Sequence, residues 1–316
     1  MYSSTRLLMA TLLVMSVAVG AAHADLSFTG AARYLGMGNT GIALADDLAA
    51  VDYNPANLGV MGIISDMPAR YWEAPTSLDE KLLAGQVLGS ASLGGDLDLS
   101  AGYVGAMIVD EVHKKHGFSV GWKSYNSPGE VEPLPKTEDI ILGYGHQYYY
   151  ENWCWGFSYL HSKTTGVPTN QPPPAAPYRH EIADTLQVGG LTWFAQDQRP
   201  DIRAGAVIQD LLNNNGGPFI NVGVAVPLSE KLVVAVDWND IFNSDGTSFN
   251  VGAEWAFDPA WRLRAGDANV FRQSDTDDAP TVGVGWIHEK WQADLAYVAP
   301  PEGRDTQWVV SGSYTF

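Results

Sequence analysis

The second half of the chain alternates apolar and polar residues at every second position. Because successive side chains of a β-strand point to opposite faces of a sheet, each alternating segment predicts a strand with one hydrophobic and one hydrophilic face. The pattern recurs at 232–238, 261–266, 291–297 and 307–316. Its clearest case is an apolar row of Phe249, Val251, Ala253, Trp255 and Phe257 interleaved with Asn250, Gly252, Glu254 and Ala256.

The N-terminus has the features of a cleavable export signal. A lone Arg6 precedes the apolar stretch from Leu7 to Val19, and Ala22-His23-Ala24 follows, which predicts a signal peptide over 1–24 with cleavage before Asp25. No later segment approaches the roughly 18 apolar residues that a membrane-spanning helix requires. A membrane location would therefore have to be reached with strands, and the mean hydropathy of −0.09 fits alternation.

Charge and cysteine content exclude several classes of protein. The chain has 18 basic and 36 acidic residues, a net charge of −18, which becomes −19 once Arg6 leaves with the signal peptide. Nucleic acid is therefore excluded as an expected partner. Cys154 is the only cysteine, so neither an internal disulfide nor a cysteine-based metal site is expected.

We predict an all-β, transmembrane, antiparallel β-barrel of about fourteen strands over 68–316, with twelve strands as the alternative. Short and longer connections alternate along the chain, as expected for such barrels, and aromatic residues crowd the short ones, which is typical of the headgroup level of a bilayer. The predicted spans are 67–74, 96–110, 117–126, 138–149, 152–163, 184–195, 200–209, 218–226, 231–241, 247–257, 261–271, 280–288, 291–298 and 306–316.

Seven charged residues fall on the predicted inner face. Since a charge facing lipid at mid-bilayer costs about 2 to 4 kcal/mol, this segregation supports the assignment of faces. We interpret these residues as ion pairs between strands in preference to substrate contacts. A turn at 258–260 would place Glu254 opposite Arg264. The set is Lys123, Arg203, Asp237, Glu254, Arg262, Arg264 and Asp294, four basic and three acidic residues, which does not describe an anion-selective channel.

The last strand and a motif near the N-terminus carry a resemblance to a known family. A terminal Phe316 on an alternating aromatic strand resembles the sorting signature that bacterial outer-membrane barrels present to their assembly machinery. Between 30 and 58 the chain resembles the FadL-type outer-membrane transporters, and more closely their short PorV/PorQ-like and TraF-like relatives. The motif residues are Gly36, Met37, Gly38, Asp46, Asp47, Asn54, Pro55 and Ala56.

The resemblance implies a fold and a function. Residues 25–67 would form a hatch inside the barrel lumen, and hydrophobic molecules such as fatty acids or aromatic hydrocarbons would be taken up passively and leave sideways through the wall. The outer connections look too brief for a large external binding groove. The sizeable candidates are 164–183 and a possibly helical 76–92. The alternative that the resemblance allows is an accessory barrel in protein secretion or an envelope machine.

Catalytic and metal-binding residues are not expected. The histidines are scattered without a nucleophile and base pattern, so the sequence does not predict an enzyme. His113 and His116 lack further ligands at suitable spacing, so we assign neither a metal nor a cofactor. The expected partners are outer-membrane lipid, a hydrophobic small molecule, the barrel assembly machinery and an envelope protein.

Overall fold

The wall of the molecule is a closed ring of antiparallel strands, each paired with its neighbours in sequence, with the last strand closing on the first. The computed structural model describes residues 31–60, 83–93, 99–109, 114–126, 136–148, 152–168, 178–196, 199–212, 218–242, 247–270, 278–299 and 306–315. The prediction of a barrel with fourteen strands is thus confirmed, and the alternative of twelve is wrong. The strands are β1 (Leu83–Ser92), β2 (Ser100–Val109), β3 (Lys114–Asn126), β4 (Lys136–Tyr148), β5 (Trp153–Pro168), β6 (Tyr178–Gln196), β7 (Arg199–Gln209), β8 (Phe219–Ser229), β9 (Leu232–Asn239), β10 (Ser248–Trp255), β11 (Trp261–Val270), β12 (Ala279–His288), β13 (Trp291–Val298) and β14 (Gln307–Thr315).

The predicted faces of the strands are confirmed where the alternation is strong. In β10 the inner residues Asn250 and Glu254 are buried, whereas Trp255 of the outer row is half exposed. The predicted register is also confirmed, because Glu254 pairs with Arg264 across β10 and β11. A short connection leaves few ways to align two strands, so the register follows from local sequence.

The prediction for residues 83–92 is wrong. They form β1 of the wall, inside the stretch 76–92 that was expected to be a connection with helical character. β1 is hydrogen-bonded to β2 on one side and to β14 on the other. Its sequence, LAGQVLGSAS, is dominated by small residues, so it shows little contrast between its faces. Residues 1–30 and 61–82, which hold the predicted signal peptide, the 67–74 segment and the 67/68 boundary, lie outside the described residues.

Short and long connections alternate around the ring, as predicted. The short set, which defines the short-turn end of the barrel, is 110–113, 149–152, 197–198, 230–231, 256–260 and 289–290. The remaining connections lie at the opposite, long-loop end. There β5 and β6 extend further than expected, so the predicted connection 164–183 shortens to 169–177. Exposed aromatic side chains mark the outer face at the short-turn end, among them Trp153, Trp255, Phe257, Trp261 and Trp291.

Residues 31–60 form an irregular segment with α1 (Ala32–Leu35), α2 (Ala50–Tyr53) and a 3₁₀ helix at Pro55–Val60. We call it the N-terminal segment. Nearly all of its residues are buried, and the larger apolar core cluster combines it with inner-face residues of the strands. Within the described part of the chain, none of the helices is both long and apolar enough to span a membrane.

Candidate functional site

The N-terminal segment follows a tightly turned path that its sequence permits. The helix α1 ends at Leu35 with Gly36 as its C-cap, and the next residues include Gly38 and Asn39 with φ of 67° and 61°. Glycine adopts positive φ without steric cost, and asparagine is among the residues that tolerate it best. The Gly38 amide then donates a hydrogen bond to Thr281 Oγ1 of β12 at 2.8 Å. The turn therefore directs a backbone donor at the wall.

Glycines on the inner face allow the segment to touch the wall backbone. A Cβ atom added at Gly252 of β10 would collide with the carbonyl of Met37, and one added at Gly156 of β5 would collide with the carbonyl of Pro55. A Cβ at Gly36 would lie 3.0 Å from Gly283 Cα. The segment and the wall are thus in direct backbone contact on several sides of the ring.

One charged cluster joins the segment to β10, β11 and β13. Arg33 of α1 contacts Asp46 at 2.5 Å and the Glu254 carboxylate at 3.5 Å. Glu254 also accepts a hydrogen bond from Arg264 at 2.5 Å, and Arg264 reaches Asp294 at 2.7 Å. These five side chains are buried. Because buried charges are tolerated only when paired, the segment completes an ion cluster that the wall begins.

A second cluster anchors the other side of the segment to β2, β3 and β4. Asp52 of α2 lies 3.0 Å from Lys123 Nζ and accepts a hydrogen bond from Tyr103 Oη at 2.6 Å. Lys123 also lies 4.0 Å from Asp139. The segment again supplies a carboxylate to a buried cation of the wall.

Backbone groups of the segment are satisfied by polar side chains. Asp237 of β9 accepts hydrogen bonds from the amides of Gly41 and Ile42, at 2.6 and 3.0 Å. Asn54 donates to the carbonyls of Ile42 and Gly190, both at 3.0 Å, and accepts from the Ala56 amide at 3.1 Å. Since unpaired buried backbone groups are costly, these side chains hold an irregular chain in one conformation.

Asp47 differs from the other carboxyls of the segment. It accepts a hydrogen bond from the Ala49 amide at 2.9 Å. Burial raises the pKa of Asp47 from 3.8 to about 7, the neighbouring Asp46 adds to this rise, and Arg33 opposes it. Asp47 is therefore a group of the segment that changes protonation near neutral pH.

The structure brings together most of the residues singled out from the sequence. Lys123, Asp237 and Glu254 contact the segment directly, and Arg264 and Asp294 do so through Glu254. The two others lie elsewhere. Arg262 donates to the carbonyls of Asp258, Pro259 and Trp261, and Arg203 interacts electrostatically with the Cys154 thiol. The motif residues are buried, including Pro55 and Ala56 of the 3₁₀ helix.

Sequence analysis missed four residues of these clusters: Arg33, Asp52, Tyr103 and Asp139. Asp139 is on the inner row of β4, two residues before Ile141, so the alternation of that strand held a usable signal. Arg33 and Asp52 belong to the irregular segment, where no periodicity indicates which side chain meets the wall.

The inner face of the wall also carries large apolar side chains. Leu88, Tyr103, Met107, Ile141 and Leu191 belong to the buried cluster that includes the segment, and Leu160 and Trp193 pack against it. A water-filled porin has a polar interior. The interior of this barrel combines polar inner-face residues and two charged clusters with an apolar cluster that packs against the N-terminal segment.

Comparison with known proteins identifies the fold. Neither a protein-family model nor a curated protein matches the sequence. The solved structures of similar fold include the toluene transporter TbuX of Ralstonia pickettii, with 14% identity, 92% of this chain and 100% of that chain covered, and a TM-score of 0.60. They also include the CymD monoaromatic hydrocarbon channel, with 13% identity, coverage of 92% and 98%, and a TM-score of 0.59.

A third similar structure is that of a Pseudomonas aeruginosa FadL homologue, with 10% identity, coverage of 95% and 99%, and a TM-score of 0.50. Each of these matches spans more than nine tenths of the chain. The protein is an antiparallel β-barrel with the FadL-type outer-membrane transporter fold, as the resemblance in the sequence predicted. At this level of identity, the comparison establishes the fold alone.

Proposed function

We propose that this protein is an outer-membrane channel for passive uptake of small hydrophobic molecules, either fatty acids or aromatic hydrocarbons, and that the N-terminal segment is its hatch. The observation that carries the proposal is the apolar cluster that inner-face residues form with the segment. Apolar residues can contact a hydrophobic solute without a desolvation cost, whereas the polar groups of a polar pore would have to give up water to it. The similarity in fold to a toluene transporter and a monoaromatic hydrocarbon channel supports the same class of substrate.

Uptake through this barrel requires the segment to move. Contacts from β1, β3, β5, β6, β9, β10 and β12 reach it from around the ring. Within the described residues, β2, β3 and β4 pair without a break in register, and so does β12 with β13 and β13 with β14. A sideways exit through these pairs would break backbone hydrogen bonds, whereas a shift of the segment breaks side-chain contacts.

The proposal is tested with proteoliposomes that carry the mature protein and a labelled fatty acid or alkylbenzene. We expect uptake faster than in protein-free vesicles, together with low ion conductance because the hatch seals the lumen. Gly252→Ala, which displaces Met37, should raise conductance and change uptake, whereas Gly102→Ala, whose Cβ would meet nothing within 4 Å, should behave as the wild type. Uptake equal to that of protein-free vesicles would refute the proposed transport.

A second candidate is an accessory barrel for protein secretion or an envelope machine. The brief connections at the long-loop end, such as 93–99 and 169–177, favour it because they offer little surface for ligand capture. Purification in mild detergent separates the two candidates. A stoichiometric protein partner supports the accessory role, and a bound hydrophobic molecule supports uptake. Export by the signal peptide, residence in the outer membrane and assembly through the Phe316 strand belong to both proposals, and neither proposal assigns the protein a catalytic reaction.

A further inference from the structure

Two histidines far apart in sequence meet on the outer face of the wall. His116 of β3 and His146 of β4 pair directly across the strands. Their rings have centroids 4.7 Å apart, and their Nδ1 atoms approach to 3.3 Å. The buried inner neighbours Lys115 and Gly117 show by alternation that His116 points outward. The pair lies close to the short-turn end, since β3 begins at Lys114.

The spacing of the two nitrogens matches that of ligands on one metal ion. Two nitrogens bound tetrahedrally at about 2.0 to 2.1 Å from zinc are about 3.3 to 3.4 Å apart. Imidazole is a preferred ligand of zinc, copper and nickel ions, and either ring nitrogen can bind. Both strands hold their histidines at fixed positions in a continuous ladder, so coordination requires only small ring rotations.

The surroundings of the pair favour coordination. Tyr144 Oη lies 2.9 Å from His116 Nδ1, so its oxygen stands beside the nitrogen that would bind the ion. The ring of Trp155 covers His146, with centroids 5.6 Å apart, and His146 is only 4% exposed.

We propose that His116 and His146 form a binding site for a first-row divalent metal ion, with zinc as the reference ion, that clamps β3 to β4 near the short-turn end. Among the described residues, no group of three or more His, Cys, Asp or Glu side chains could hold a metal ion, so water completes the coordination. The sequence had drawn attention to His113 and His116 instead. The pairing of β3 with β4 supplies a different partner, 30 residues away in the chain.

Zinc titration of the tag-free mature protein in detergent tests the site. We expect one equivalent of zinc to bind and to raise the midpoint of thermal unfolding, with no such effect from magnesium, which prefers oxygen ligands. His116→Phe and His146→Phe should each weaken zinc binding at least tenfold, and the double variant should lose both the binding and the thermal shift. Heat-modifiable migration in gels verifies that each variant is folded.

The matched controls are His161→Phe, at another outward histidine, and His113→Phe. Both variants should bind zinc as the wild type does. Zinc binding that survives in His146→Phe but is lost in His113→Phe would overturn the proposal and assign the ion to the pair suggested by the sequence. Absence of one-equivalent binding in the wild type would also overturn it.

Discussion

Arg33 of the N-terminal segment lies 3.5 Å from the carboxylate of Glu254 in the barrel wall, and both side chains are at most 4% exposed. Glu254 therefore serves two cations, Arg33 and Arg264. We expect Glu254→Gln to lower the free energy of unfolding by about 1.5 to 3 kcal/mol, because each of the two buried arginines loses a charged hydrogen-bond acceptor and keeps one carboxylate, Asp46 or Asp294. Denaturant unfolding in detergent, followed by tryptophan fluorescence, measures the change.

Glu138→Gln is the matched control for this prediction. Glu138 pairs with Lys136 at 3.1 Å, but both side chains are about half exposed, so the substitution should change stability by no more than about 1 kcal/mol. Equal effects of the two substitutions would show that the Arg33–Glu254–Arg264 cluster contributes no more than a surface pair.

The backbone contact between Met37 and Gly252 predicts a strict requirement for glycine. An alanine Cβ at 252 would overlap the Met37 carbonyl, so Gly252→Ala must push the segment away from β10. We expect limited proteolysis to cut within 31–60 several times faster in this variant. Gly102→Ala places its Cβ in open space and should leave the rate unchanged. Matching proteolysis rates would contradict the close approach.

Most strands of the wall could be predicted from the sequence because the patterns that define them are local. Alternation within β10 and β11 identified the faces, and the short turn between them aligned Glu254 with Arg264. In β1 the same rule failed, since a strand of Gly, Ala and Ser offers little contrast between faces.

Only part of the candidate site could be predicted from the sequence, because its contacts join distant parts of the chain. Lys123 was recognisable as an inward cation, but its partner Asp52 lies 71 residues away in a segment without periodicity. Asp237 and Gly41 are 196 residues apart. Such pairings depend on how the segment is folded inside the ring, which no pattern in either stretch determines alone. The His116–His146 pair arises in the same way, from strand pairing.

Asp237→Asn should loosen the segment locally. Asp237 accepts two backbone amides, and hydrogen bonds to a charged acceptor are stronger than those to a neutral one. Residue-resolved hydrogen exchange should therefore show lower protection at Gly41 and Ile42, by about tenfold for a loss of about 1.4 kcal/mol. The Gly38 amide, bonded to Thr281, is the internal control. Uniform loss of protection at all three amides would indicate global destabilisation instead.

Asp47 should make stability depend on pH in a defined direction. Its pKa is raised by burial to about 7 in the folded protein, against 3.8 for the exposed group, so between these values the native state retains a proton that the unfolded chain releases. The contribution of Asp47 to stability should therefore fall as pH rises from about 4 to about 7, and level off above that. Asp47→Asn keeps the shape and an acceptor for the Ala49 amide but cannot ionise. Comparing unfolding free energies of the two proteins at several pH values isolates this one group, because the other titrating residues are common to both. The unfolding free energy of the wild type minus that of the variant should decrease as pH rises from about 4 to about 7. A difference that stays constant with pH would show that Asp47 titrates alike in the folded and the unfolded protein.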